Sequence, residues 1–377
     1  MNRLRVSILC LAAIFMLGGC STPKLPGPIK NVGVSPGVRG IFKSGDGGKT
    51  FESKAVIDDK NTLSQADILT IKIDPTDEKI VYIGTVDAGV YRSDNGGDSW
   101  KKIHEAKRCY GIEIDPRDAK TIYLSGIVDG RGKIFKSTDG GEKWTEIFTE
   151  PLGDSLISSL TLDSKSPDSL YAGDSRGFLI KTENAGVEWK RIAELGKPIT
   201  SIALDSGDSR NVYLGVFQGG LYKIDFSQTV KNDKGITRID SSNKMVDGVI
   251  VLDLRKQMKG WAATNNAFTL TADPRHSNTV FFGTGPGILK TEDGGNTWKE
   301  LPTLEGPGNI VIKGLAVGGA NSEIIYVATK GTFYKSVDSG KTWNVMEFNT
   351  PYTIEVLRVV PSNPEVVYLG IRNLNTK

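Results

Sequence analysis

Apolar residues in this chain come in short alternating runs separated by polar turns. Ile68-Leu69-Thr70-Ile71-Lys72-Ile73 is followed by the turn Asp74-Pro75-Thr76-Asp77, then by Ile80-Val81-Tyr82-Ile83-Gly84. A Gly-containing loop from Thr85 to Gly89 leads into Val90-Tyr91-Arg92. The same order returns along the chain. Second runs read VYIG, IYLSG, LYAG, VYLG, VFFG, IYVA and VYLG, and first turns read DPTD, DPRD, DSKSPD, DSGD, DPRH, GGAN and PSNP. β-Branched and aromatic residues alternating between Pro, Gly, Asn and Asp turns predict strands. Full four-strand units are expected at 67–105, 109–150, 155–194, 197–240, 265–302 and 308–348.

One eight-residue turn punctuates the units. It reads SGDGGKTF (44–51), SDNGGDSW (93–100), STDGGEKW (137–144), TENAGVEW (182–189), TEDGGNTW (291–298) and SVDSGKTW (336–343). Its third residue, Asp46, Asn95, Asp139, Asn184, Asp293 or Asp338, can accept hydrogen bonds from nearby backbone N–H groups and so close a turn. The Gly at its fifth position supplies the φ > 0 geometry such a turn needs. Trp100, Trp144, Trp189, Trp298 and Trp343 end five copies, and Phe51 ends the first. Burying an indole removes roughly 150–250 Å² from water, so these turns are read as structural staples between third and fourth strands.

Starts at 44, 93, 137, 182, 291 and 336 give a period near 45, the length of a four-stranded propeller blade. The long interval between 182 and 291 holds one more unit without the turn: Ile199 to Leu204, Val212 to Gly215 and Gly220 to Ile224, with Ile236 to Ile239 as a candidate fourth strand. The excess is assigned to an insertion at 241–263, with a short helix from Val249 to Met258, overhanging the face opposite the eight-residue turns. Both ends are half-units. Val38 to Lys43 precedes the first turn with no strands before it, and Tyr352 to Gly370 supplies two strands with no turn after them. Joined, they complete a seventh unit. The expectation is an all-β, seven-bladed propeller of four-stranded antiparallel blades over 38–377, its ring closed by pairing 366–371 with 38–43. Closure would remove the two open sheet edges.

The repeated turn resembles the Asp-box, or BNR repeat. That family includes sialidases, xyloglucanases, sortilin-like receptors and photosystem II assembly factors. The resemblance covers residues 38–371 and implies the propeller fold far more specifically than any one function. The architecture is most similar to the photosystem assembly-factor type, a single propeller that assists a membrane complex.

The first 19 residues read as a signal. Arg3 and Arg5 are followed by an apolar run from Val6 to Leu17, too short to span a bilayer. Leu17-Gly18-Gly19-Cys20 resembles the bacterial lipobox, which implies cleavage before Cys20 and lipidation of its thiol. Ser21 in place of Asp implies outer-membrane sorting if the host has two membranes. Residues 20–37, rich in Pro, Gly and Ser, read as a flexible tether. The expected location is the bacterial cell envelope, outside the cytoplasm, with the membrane reached through Cys20. Cys109 remains as a core residue, with no disulfide expected. The formal charge of +3 is near neutral for this length and demands no nucleic-acid partner. A monomer is expected.

Candidate chemistry falls on the loops between second and third strands, the face where propellers usually bind. They carry Asp87, Asp129, Arg131, Asp174, Arg176, Lys330 and, in the closing blade, Arg372. Glycoside hydrolysis needs a carboxylate pair, and Asp87, Asp129 and Asp174 are the candidates for one. GTVDAGVYR (84–92) resembles the loop of a catalytic Asp in xyloglucanases, whose second carboxylate lies on a second propeller. No Arg-Ile-Pro signature of the sialidases occurs. His104 and His276 stand far apart, no Cys/His spacing suits zinc, and no cofactor or metal is expected. The reading is a lipid-anchored, non-catalytic binding or assembly propeller recognising a protein or glycan on the loop face; the alternative is a glycoside hydrolase of xyloglucanase or sialidase type.

Overall fold

The computed structural model describes residues 29–30, 37–151, 153–228, 237–238, 250–261, 264–285, 287–302, 311–348 and 350–374. Seven sheets make seven blades in a ring, and each blade runs antiparallel from an inner first strand to an outer fourth. Blade one joins the two ends of the chain: Thr353–Val359, Val367–Arg372, Gly40–Ser44 and Glu52–Ser53. Its seam pairs Ile41 with Gly370 and Phe42 with Leu369. Blades two to seven follow in chain order, with first strands Ile68–Ile73, Lys107–Asp115, Ile157–Leu162, Ile199–Leu204, Thr269–Ala272 and Gly314–Val317.

The eight-residue turns share one hydrogen-bond pattern. In the last of them Ser336 Oγ donates to Asp338 and accepts from Gly340 N at 2.8 Å, while Asp338 accepts from Thr342 N at 2.8 Å. The fifth-position glycines hold φ near +90°, from 86° at Gly340 to 97° at Gly97, where a side chain would be strained. Each turn docks on the preceding blade. Trp100 Nε1 donates to Lys54 O at 2.6 Å, and Trp144 Nε1 to Ile103 O at 3.1 Å.

A second staple lies one residue before the turn, or at the equivalent third-strand position in blade five. Lys43, Arg92, Lys136, Lys181, Lys223, Lys290 and Lys335 each sit over the second-strand aromatic of their own blade: Tyr368, Tyr82, Tyr123, Tyr171, Tyr213, Phe281 and Tyr326. Four of these cations also donate to a backbone carbonyl of the next blade's turn, at Gly96, Gly140, Ala185 and Gly294. Partly buried cation–π contacts of this kind contribute about 0.5–2 kcal/mol each.

The glycine of the second strand sets how closely blades pack. A Cβ at Gly84 would lie 2.7 Å from Cys109 Sγ, at Gly173 2.6 Å from Ile199 Cβ, and at Gly370 2.7 Å from Ile68 Cγ2. Each partner lies at or near the start of the first strand of the following blade. Cys109 is fully buried there, as expected of a core residue, and burial pushes its thiol up to about 12.

Blade five departs from the expected pattern. Its fourth strand is Ile250–Asp253, paired with Tyr222 to Asp225, not 236–239. Thr237–Arg238 instead lies parallel to the outer strand of blade four. From 250 to 258 the chain is this strand followed by a 3-10 turn, Leu254–Lys256, capped by Asp253. β-Branched Ile250 and Val251 favour the strand. The extra length therefore falls between the third and fourth strands of the blade. An insertion over 241–263 on the opposite face does not hold for 250–253, and 241–249 lie outside the described residues. So do 1–19, Cys20 and most of the tether. Within the tether, Ile29–Lys30 pairs in parallel with the outer strand of blade seven.

Candidate functional site

The seven first strands enclose a central channel with a cavity of about 750 Å³. Near the face of the second-to-third loops, the pairing of five first strands slips, by one extra residue in four of them and by two in blade three. The breaks lie at 354/356, 68/70, 107/111, 157/159 and 199/201. A bulge of this kind re-aims a side chain without breaking the sheet. Glu355, Leu69, Tyr110, Ser158 and Thr200 stand at these breaks and line the channel mouth. In blades six and seven the equivalent residues, Phe268 and Lys313, just precede their strands and line it too.

Charge gathers on one side of this mouth. Arg372 Nη1 lies 3.3 Å from Glu355 Oε1, and Lys313 Nζ lies 3.7 Å from the same oxygen. The Lys313 ammonium sits 5.3 Å from the centre of the Phe268 ring. Glu355 Oε2 is buried without a hydrogen-bond partner among the described residues. Two cations against one carboxylate leave this corner positive. The other side is apolar and hydroxyl-bearing, with Leu69, Tyr110, Leu156 and Phe217, the last 40% exposed.

Of the residues singled out in the sequence, Arg372 reaches this mouth. Three others converge on the connection between blades three and four. Arg131 Nη2 donates to Glu150 O at 2.6 Å, and Arg176 Nη2 to Gly153 O at 2.8 Å. Ser155 Oγ donates to Asp174 Oδ2 at 3.2 Å. Asp87 and Lys330 are exposed on their loops, and Asp129 lies 3.8 Å from Lys133.

Asp174 is not a third rim carboxylate equivalent to Asp87. It ends its strand, is 2% exposed, and its other oxygen accepts from Arg176 N and Phe178 N at 3.0 and 2.7 Å. Burial holds its carboxyl above the usual carboxylate range, against these hydrogen bonds. Thr85, Thr284 and Thr329 occupy the same strand-end position and tie their loops instead by donating to Gly89 O, Gly287 O and Thr332 O. The signal was present in the endings VYIGT, LYAGD, FFGT and YVAT. Among the described residues, Asp87, Asp129 and Asp174 make no contact with one another. Among the described residues, the carboxylates that do line the channel are Glu113 and Glu355, and both are ion-paired, Glu113 to Lys72 at 2.5 Å. Raised-pKa carboxyls act as general acids only where they reach substrate, and the buried Asp174 is closed off.

No protein-family model matches the chain. It is 27% identical over 216 residues to the xyloglucanase Xgh74A of Acetivibrio thermocellus, covering 48% of this chain and 25% of that protein. It is 21% identical over 360 residues to a xyloglucanase of Hypocrea jecorina, covering 78% and 40%. The chain thus spans well under half the length of these relatives. Among solved structures, YCF48 bound to D1 peptide superposes with a TM-score of 0.57 at 14% identity, over 83% of this chain and 94% of that one. The GH74 xyloglucanase from Xanthomonas campestris gives a TM-score of 0.60 at 16% identity, over 82% and 52%. YCF48 from Cyanidioschyzon merolae gives 0.57 at 15%, over 81% and 95%. At these identities what is shared is the propeller fold.

Proposed function

We propose that this chain is an Asp-box propeller, anchored outside the cytoplasm through a lipidated Cys20, that binds a protein segment at the channel mouth without turning it over. The observation that carries the reading is the mouth itself. Phe268 stands beside the Lys313–Glu355–Arg372 cluster, and Tyr110 and Phe217 line the side opposite. Aromatic anchors next to a compensated cation suit peptide recognition. Likeness to YCF48, one structure of which holds a D1 peptide, runs over nearly all of that chain and supports a protein partner.

The test is capture of partners from detergent-solubilised membranes with the full-length lipoprotein. A specific partner, lost in Phe268→Ala with folding intact, is the expected result. Equal capture by Phe268→Ala overturns the assignment to the mouth. The second reading, hydrolysis, is favoured by the sequence likeness to xyloglucanases. It expects release of oligosaccharide from xyloglucan that disappears in Asp87→Asn, and such turnover would refute binding without catalysis.

A further inference from the structure

Deeper in the channel, two residues before the first turn of each blade, the first strands present a second level of side chains. Three of them are charged and adjacent in the ring: Arg358 of blade one, Lys72 of blade two and Glu113 of blade three. Lys72 and Glu113 are paired at 2.5 Å. Among the described residues, every charged side chain lining the channel is in an ion pair except Arg358, whose one hydrogen bond runs from Nη1 to Leu357 O at 2.9 Å. Arg358 lines the channel and is exposed to solvent there. Across the ring stand small residues, Thr161 and Ala203, which leave the space open. Ser201 Oγ, one level up, is buried with no hydrogen-bond partner among the described residues.

We infer that this level is a binding site for an oxyanion, a carboxylate or phosphate group of a small ligand, with Arg358 as its ion partner and channel hydroxyls completing its shell. The guanidinium has four N–H donors beyond the one used and matches either anion as a planar fork. The level lies three residues below the mouth, about 10 Å along the strands. It stands independently of what binds above. An arginine without an ion partner in a protein-walled channel offers its charge to an incoming anion while the Lys72–Glu113 pair stays intact.

Calorimetric titration of the full chain with inorganic phosphate in one arm and succinate in the other tests the site. The expected result is one site per chain for at least one anion, with affinity that falls as sodium chloride rises. Arg358→Gln should weaken it at least tenfold, and Arg275→Gln, on the opposite face of the blade turns, should not. Glu113→Gln should tighten it several-fold, because it removes a repelling carboxylate and frees Lys72. This opposite sign decides the matter if Arg358→Gln fails to fold. The arm that binds identifies the anion. Absence of binding in both arms, or equal affinity in Arg358→Gln or Glu113→Gln, overturns the inference. Partner capture by the mouth in the same variants is a separate readout.

Discussion

The seam of blade one offers a direct test of ring closure. Phe42 and Leu369 lie opposite one another in the pairing of Gly40–Ser44 with Val367–Arg372, and are 1% and 0% exposed. Phe42 also meets the Phe348 ring edge-on at 5.3 Å and so links the seam to blade seven. Leu369→Ala should cost about 2–5 kcal/mol and Phe42→Ala about 3–5 kcal/mol, from lost transfer energy and the cavity left behind. Together these approach the roughly 5–15 kcal/mol that holds a typical domain. Urea unfolding followed by tryptophan fluorescence, in sucrose to raise the baseline, measures both singles and the double. In a closed ring the two share one cavity, and the double should depart from additivity by about 0.5–3 kcal/mol. Additivity within about 0.5 kcal/mol, the behaviour of distant sites, would show that the termini do not pack together and would refute the closure reasoning.

Acid should weaken the repeated turns. Burial pushes the Asp338 carboxyl up, but hydrogen bonds from Thr342, Ser336 and Lys341 outweigh it and hold it at about 2; Asp46, Asp139 and Asp293 are also held below the usual value. A carboxyl depressed in the folded state stabilises above its unfolded pKa near 3.8 and loses that contribution as pH falls toward 2. Urea midpoints should therefore drop between pH 4 and 2, less steeply in Asp338→Asn, and an unchanged midpoint over that window contradicts the reasoning. For the anchor, Cys20→Ala should release the chain from the membrane fraction or leave the leader uncleaved; a correctly cleaved variant still pelleting with membranes would exclude lipidation.

Much of this architecture is local chemistry and was legible along the chain. Alternating β-branched runs make strands wherever they occur, and Ser/Thr-x-Asp/Asn-x-Gly closes the same turn each time because all its donors and acceptors lie within seven residues. Two half-units at the ends, in a period near 45, required a closing blade. Where the turn was missing, its punctuation was missing too. The fourth strand of blade five was then placed at 236–239 instead of Ile250–Asp253, since either run could be extended and only pairing with Tyr222 to Asp225 selects one.

The site was a matter of tertiary structure. Alternation along a strand assigns each residue to one face, but the bulges insert one residue and turn Glu355, Ser158 and Thr200 toward the channel. A bulge is defined by its partner strand, so single-sequence periodicity cannot register it. Lys313, Glu355 and Arg372 come from two blades, and Arg358, Lys72 and Glu113 from three. Their meeting depends on the radius and register of a closed ring. The sequence determined which segments are strands and that they form seven blades; ring closure decided which charges face one another across the channel, because those distances exist only once all seven first strands stand side by side.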